Sequence, residues 1–220
     1  MARELGGGGT REFLTREVTT PHGAARVRVD SPGGPPALLL VLGHGAGGDV
    51  DAPDLVAVRD AVVPLGVAVA AVTQPYRVAG RRAPAPARQL DAAWTAVVAA
   101  VRSWEGFAEP PLVAGGRSSG ARVACRTASA VGASGIVALA FPLHPPGRPE
   151  KSRAAELGTG LPTLVVNGER DPFGIPSAGD GRTVHVVPGA DHTLKRDPGA
   201  VAAVVAEWVS ARRWERPSPR

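Results

Sequence analysis

Leu112-Val113-Ala114-Gly115-Gly116-Arg117-Ser118-Ser119-Gly120-Ala121-Arg122-Val123-Ala124 leads an apolar run into a Gly-x-Ser-x-Gly turn and leaves it as an alanine-rich helical pattern. In such a turn the glycines admit a strand-to-helix bend too tight for side chains, and the serine hydroxyl is lifted above the sheet edge. That serine is Ser118. A five-residue match also arises by chance as an ordinary polar turn. It gains chemical meaning only where the chain supplies a base, an acid and an oxyanion site in the right order.

Outward from this turn, short apolar runs alternate with helical patterns. Upstream, the alternation in residues 12–19, the Pro21-His22-Gly23 turn and residues 25–29 predict a β-hairpin with one wet face. Ala37–Leu42 and Val67–Thr73 are unbroken apolar runs of strand length, the signature of parallel strands buried on both faces. A helix is expected between them, opened by Asp51-Ala52-Pro53 and closed near Gly66. Gln74-Pro75-Tyr76-Arg77 begins a polar loop, where Tyr76 could line a pocket but is expected to pack at the surface, and Gln89–Trp104 reads as a helix with Trp94 in the core. Downstream, strands are expected at 136–141, 161–167 and 183–187, one or two helical turns at 150–157, and a helix at 198–212 behind Asp197. Alternation of this kind predicts an α/β fold: a mostly parallel central sheet with helices on both faces, headed by an antiparallel hairpin.

Composition narrows the class. At 220 residues the chain suits one domain, read as residues 12–212, with a flexible glycine-rich leader at 1–11 and a frayed tail at 213–220. Without a long uncharged apolar run or an N-terminal apolar segment, neither a membrane span nor a signal peptide is expected, and the expected compartment is the cytoplasm. The single Cys125 excludes an internal disulfide and a cluster of cysteine metal ligands. Net charge is +5, yet the arginines are scattered, lysine occurs only at 151 and 195, and aromatics are 4%; no nucleic-acid partner is expected.

A serine hydroxyl needs a base within hydrogen-bond reach and an acid that fixes the base's tautomer. Asp171 directly follows a predicted strand and His192 lies in the loop after the last one, giving the order Ser118, Asp171, His192. The rivals are weaker. His185 sits mid-strand, His144 precedes the acid and is expected to line or support the pocket, and Asp191 adjoins His192, where neighbouring side chains diverge. For the oxyanion, the amide of Ser119 follows the nucleophile, and Ala46 in His44-Gly45-Ala46-Gly47-Gly48 follows the third strand; His44, Gly45 and Gly47 are expected to support that loop. Arg117 either meets an anionic substrate group or splays to solvent.

These residues, with Phe141-Pro142-Leu143-His144-Pro145-Pro146-Gly147, Gly168-Glu169-Arg170-Asp171-Pro172-Phe173-Gly174 and Gly189-Ala190-Asp191-His192, resemble a small, lidless α/β-hydrolase over roughly residues 37–208. The resemblance is to the dienelactone-hydrolase-like branch, and within it to bacterial relatives of a testis-expressed protein and of a subunit of the NSL histone acetyltransferase complex. It implies a Ser-His-Asp hydrolase fold acting on a small-molecule acyl substrate, with no metal or organic cofactor. Dienelactone hydrolases themselves use a cysteine nucleophile, whereas that position here is Ser118. Three readings remain open from sequence: an esterase-like serine hydrolase, an acyltransferase on the same triad, and a non-catalytic scaffold retaining the fold. Oligomeric state is not legible.

Overall fold

The computed structural model describes residues 13–179 and 181–216, so the expected leader, residues 1–11, lies outside the described residues. β1 (Phe13–Thr20) and β2 (Gly23–Asp30) form the expected antiparallel hairpin. They are followed by β3 (Leu38–Gly43), α1 (Pro53–Val62), β4 (Val67–Thr73), α2 (Pro75–Val78), α3 (Ala87–Arg102), β5 (Leu112–Arg117) and α4 (Ser119–Thr127). The chain continues through β6 (Gly135–Leu139), β7 (Thr163–Gly168), β8 (Arg182–Val187) and α5 (Pro198–Ser210). One sheet holds all eight strands in the order β1-β2-β4-β3-β5-β6-β7-β8. β3 to β8 are mutually parallel, and β2 joins them antiparallel along β4.

The apolar runs are buried on both faces because successive side chains point to opposite sides. Leu39 and Val41 of β3 enter one core with Trp94 and Val97 of α3 and Ala121 and Ala124 of α4. Leu38, Leu40 and Leu42 enter the other, with Leu55 and Val58 of α1 and Val201 and Val205 of α5. Each fully buried leucine, such as Leu39 or Leu40, contributes roughly 1.5–3 kcal/mol relative to exposure. α5 starts where expected: the Asp197 side chain accepts the Ala200 N–H at 2.8 Å, and Pro198 stands in the first turn.

Two sequence expectations are corrected. Tyr76 is buried, because Pro75 starts the short helix α2 directly at the end of β4 and the ring turns inward toward His44, at 5.8 Å between centroids. The tail is not frayed from residue 213: the Trp214 indole N–H donates to the Val209 carbonyl at 2.9 Å and its ring lies 5.0 Å from that of Trp208. The Ser134 hydroxyl also donates to the Glu215 carbonyl at 2.6 Å. One aromatic side chain thus outweighs the surrounding Arg/Pro composition. Among the described residues, no helix is long and apolar enough to cross a membrane.

The turn from β5 to α4 lies directly on the end of β3. A Cβ at Gly116 would stand 2.5 Å from the Gly43 carbonyl oxygen, and one at Gly120 would stand 2.5 Å from the Gly43 carbonyl carbon and 2.8 Å from the His44 oxygen. These obstacles are backbone and cannot swing aside. Gly120→Ala is therefore expected to destabilise by about 1–3 kcal/mol or more. Gly33→Ala, where nothing lies within 4 Å, should stay within about 0.5 kcal/mol of the parent. Urea denaturation of the two variants checks the contrast.

Candidate active site

The strand-to-helix turn holds Ser118 at φ 52° and ψ −109°, a left-handed backbone that L side chains rarely adopt. Strain of this kind costs on the order of 1–3 kcal/mol and persists only where the surroundings enforce it. Here the enforcement is the seat on Gly43, together with a hydrogen bond from the Ser118 N–H to the Leu139 carbonyl at 2.8 Å. As a result the Ser118 hydroxyl faces the loop after β8, where Oγ and His192 Nε2 are 2.9 Å apart.

His192 Nδ1 lies 2.8 Å from Asp171 Oδ2, on the loop after β7. With Asp171 accepting at Nδ1, the proton of a neutral imidazole sits there and Nε2 presents its lone pair to Ser118. The carboxylate is inaccessible to solvent and fully held: Oδ1 accepts the Phe173 N–H at 2.9 Å, and Oδ2 accepts from Asn167 Nδ2 at 3.3 Å as well as from His192. Asn167, buried at the end of β7, also donates to the carbonyls of Phe141 at 3.0 Å and Gly174 at 3.1 Å and accepts the Phe141 N–H at 2.9 Å. It thereby ties the end of β6 to the loop carrying Asp171. The Phe173 ring packs on His192, 4.2 Å between centroids. Asp191 is not the partner of His192; its Oδ1 accepts the Thr193 N–H at 2.8 Å, and the Thr193 contacts hold its carboxyl below the usual range.

The glycine loop after β3 stands beside the serine, with a Cβ at Gly45 placed 3.6 Å from the Ser118 Cβ. His44 Nε2 accepts the Gln74 N–H at 3.1 Å, so Nδ1 carries the proton and donates to the Gly45 carbonyl at 2.8 Å. The ring is a neutral clamp between this loop and the end of β4, and burial lowers its pKa. Asp49 adds a second tie, accepting from the Thr73 hydroxyl at 3.0 Å and the Val50 N–H at 2.8 Å. Ala46 and Gly47 lie between these ties. Ser119 opens α4, where the first N–H groups have no acceptor within the helix and point toward the helix start.

Arg117 is not splayed to solvent. Its side chain is 14% exposed, with Nε 3.2 Å from the fully buried Asp54 of α1 and Nη2 donating to the His192 carbonyl at 2.9 Å. His144 serves the acid loop: its N–H donates to the Phe173 carbonyl at 3.0 Å, and its ring fills the space a side chain at Gly174 would need. Sequence reasoning missed Asn167 and Asp54. A polar residue ending an otherwise apolar strand, and a carboxylate on the inner face of a helix's first turn, were the available signals. Among the described residues, no three His, Cys, Asp or Glu side chains converge to hold a metal ion.

A serine on a strained strand-to-helix turn, a histidine and a buried carboxylate in the order Ser, Asp, His above the C-terminal edge of a mainly parallel sheet define the α/β-hydrolase class. Residues 36–204 match the model of an alpha/beta hydrolase domain family, and the chain belongs to that family. Among solved structures it is similar to XC6422 from Xanthomonas campestris, described as an α/β serine hydrolase without lid: 20% identity over 90% of this chain and 94% of that one, TM-score 0.71. It is similar to Est1E from Butyrivibrio proteoclasticus at 15% identity, covering 90% and 98% of the two chains, TM-score 0.74. It is also similar to a dienelactone hydrolase from Anabaena variabilis at 16%, covering 94% and 99%, TM-score 0.72. At these identities the likeness is one of fold. A search of curated proteins found no match.

Two outcomes follow for the groups around the site. Cys125 is buried on α4 and its thiol is pushed up to about 12, so at pH 8 it should resist iodoacetamide in the folded protein and react fully in urea, as intact-mass measurement would show. His44 has a lowered pKa when folded, so its contribution to stability is complete above the ordinary histidine value of about 6.5 and is lost as pH falls below it. Urea midpoints measured from pH 8 down to 5 should fall less steeply in His44→Gln than in the parent.

Proposed function

We propose that the protein is a serine hydrolase that cleaves an ester, thioester or related acyl bond through an acyl-enzyme on Ser118. The observation that carries this reading is the continuous chain from Ser118 Oγ through His192 to Asp171, at 2.9 Å and 2.8 Å. Nε2 takes the hydroxyl proton as Oγ attacks the acyl carbon, and the imidazolium donates its Nδ1–H to Asp171. The tetrahedral oxyanion is received by the amides of Ala46 and Ser119; one such donor is worth roughly 3 kcal/mol in the transition state. Collapse expels the leaving group, which takes the proton from Nε2. Water, deprotonated by the same nitrogen, then attacks the acyl-enzyme, and collapse of the second tetrahedral intermediate releases the acid and restores the Ser118 hydroxyl.

The path from β6 to β7, where a cap would be inserted, carries only the 3-10 turn Ala154–Leu157. It is tied to the body by the Arg122–Glu156 pair, with bonds of 2.8 and 2.5 Å, and by Arg153 donating to the Pro142 carbonyl at 3.1 Å. Ser118 and His192 are both half-buried rather than enclosed. This supports an open site for small or extended acyl substrates. Structures of the same fold include the α/β serine hydrolase XC6422 and a Pyrobaculum calidifontis esterase, in agreement with this reading.

Wild-type protein is expected to hydrolyse p-nitrophenyl acetate and to be labelled by a fluorophosphonate at Ser118. Ser118→Ala should abolish both, and Asp171→Asn should lower kcat by about 10⁴-fold through loss of the imidazole tautomer. A folded wild type that neither turns over nor labels would overturn the proposal.

A further inference from the structure

The residue before the serine is bonded in a way that hydrolysis by the triad does not itself require. One guanidinium meets α1 and the loop of His192 and stands beside the glycine loop. Arg117 Nε lies 3.2 Å from Asp54 Oδ2 on α1, and Nη2 donates to the His192 carbonyl at 2.9 Å. Nη1 stands 3.0 Å from where a Cβ would sit on Gly45, in the glycine loop. Asp54 is wholly buried, and neither its oxygens nor Arg117 Nε make a hydrogen bond of good geometry, so the two groups meet as an ion pair. Its carboxyl is raised by burial, against the lowering effect of Arg117.

Such a pair is a poor way to gain stability. Removing two charges from water offsets most of their attraction, and apolar residues of similar volume generally serve a core as well or better. Its geometry is what an apolar pair lacks, since a planar guanidinium can hold a carboxylate on one edge and a carbonyl on another. The carbonyl in question belongs to the base itself. The main chain around His192 is also anchored by the Arg170 N–H, which donates to the Ala190 carbonyl at 2.8 Å, and by the buried Ala190 and Leu194, the latter at a left-handed φ of 53°.

We infer that Arg117, oriented by Asp54, is a positioning residue that locks the loop of His192 against α1 and keeps Nε2 in line with Ser118. This rests on the serine-hydrolase reading above. The Asp54 carboxylate fixes the guanidinium, the guanidinium fixes the His192 backbone, and the imidazole is thereby held from both ends, by Asp171 at Nδ1 and by Arg117 at the main chain.

The test compares wild type, Arg117→Lys and the double variant Asp54→Leu/Arg117→Met, which replaces the pair by apolar groups. kcat and KM for p-nitrophenyl acetate are measured together with thermal midpoint and hydrogen–deuterium exchange over residues 188–194. Both variants are expected to lose about 10²-fold in kcat, the scale of a misplaced reacting group, with KM little changed and exchange faster in that loop. The double variant should keep its thermal midpoint. A merely structural pair would instead lower the midpoint and leave the kcat of the folded fraction intact. Wild-type rates and loop exchange in a folded variant would overturn the inference. Should the double variant not fold, Arg117→Lys, which keeps a cation beside Asp54, decides it alone. Fluorophosphonate labelling of wild type checks the hydrolase reading separately; were it inert, loop exchange would still show whether Arg117 holds His192.

Discussion

The site rests on a constraint of backbone on backbone: the turn between β5 and α4 lies on the last residue of β3, with no room for a Cβ at Gly116 or Gly120. That seat forces Ser118 into its left-handed conformation and places its hydroxyl outside the sheet. It also brings the start of α4 against the glycine loop that leaves β3. Ser118, the start of α4 and the entry to the glycine loop are therefore set by one contact between neighbouring parallel strands. A second seat of the same kind joins the other two components: a Cβ on Gly168, at the end of β7, would stand 2.5 Å from the Asp191 carbonyl. Acid loop and base loop are thus in register before any side chain acts.

Side chains then connect what the backbone has juxtaposed. His44 joins the glycine loop to the end of β4, Asn167 joins the acid loop to the end of β6, and Arg117 joins the base loop to α1. Each is buried or nearly so, where a polar group left unpaired costs roughly 1–3 kcal/mol. That penalty disfavours any arrangement in which a loop moves away from its partner. Rigid strand ends with bonded loops are the physical form of preorganisation: donors and acceptors stand in place before charge develops.

The fold was legible because periodicity is local. Unbroken apolar runs as short as Leu38–Leu42 and Val67–Val72 read as strands buried on two faces, and their alternation with helical patterns leaves few topologies. Ser118, Asp171 and His192 were legible because strand ends can be counted along a chain, and their meeting followed from the sheet order. Residues whose role is to bond across elements were not. Asn167 is one polar letter in an apolar strand, and Asp54 is 63 residues from Arg117 in a helix whose first turn suits a carboxylate for reasons of dipole alone. Tyr76 and Trp214 were misplaced for the converse reason: their surroundings in sequence are polar, and their partners, His44 and Trp208, are supplied by tertiary packing.

Charge gives the Asp54–Arg117 pair a second consequence. On the proposed reaction path His192 becomes an imidazolium, and a lone guanidinium bonded to its own main chain would raise the energy of that state. Asp54 opposes the guanidinium from 3.2 Å away. The arginine can then act as a rigid fork with most of its charge cancelled locally. A lysine would present a point charge, and a neutral amide would lack the reach to bond carboxylate and carbonyl together. On that path Asp171, which is bonded to the ring, would stabilise the imidazolium directly, while Asp54, which is not, would reduce an opposing field. The two buried carboxylates act in different capacities: Asp171 touches the ring, and Asp54 reaches the histidine only through Arg117.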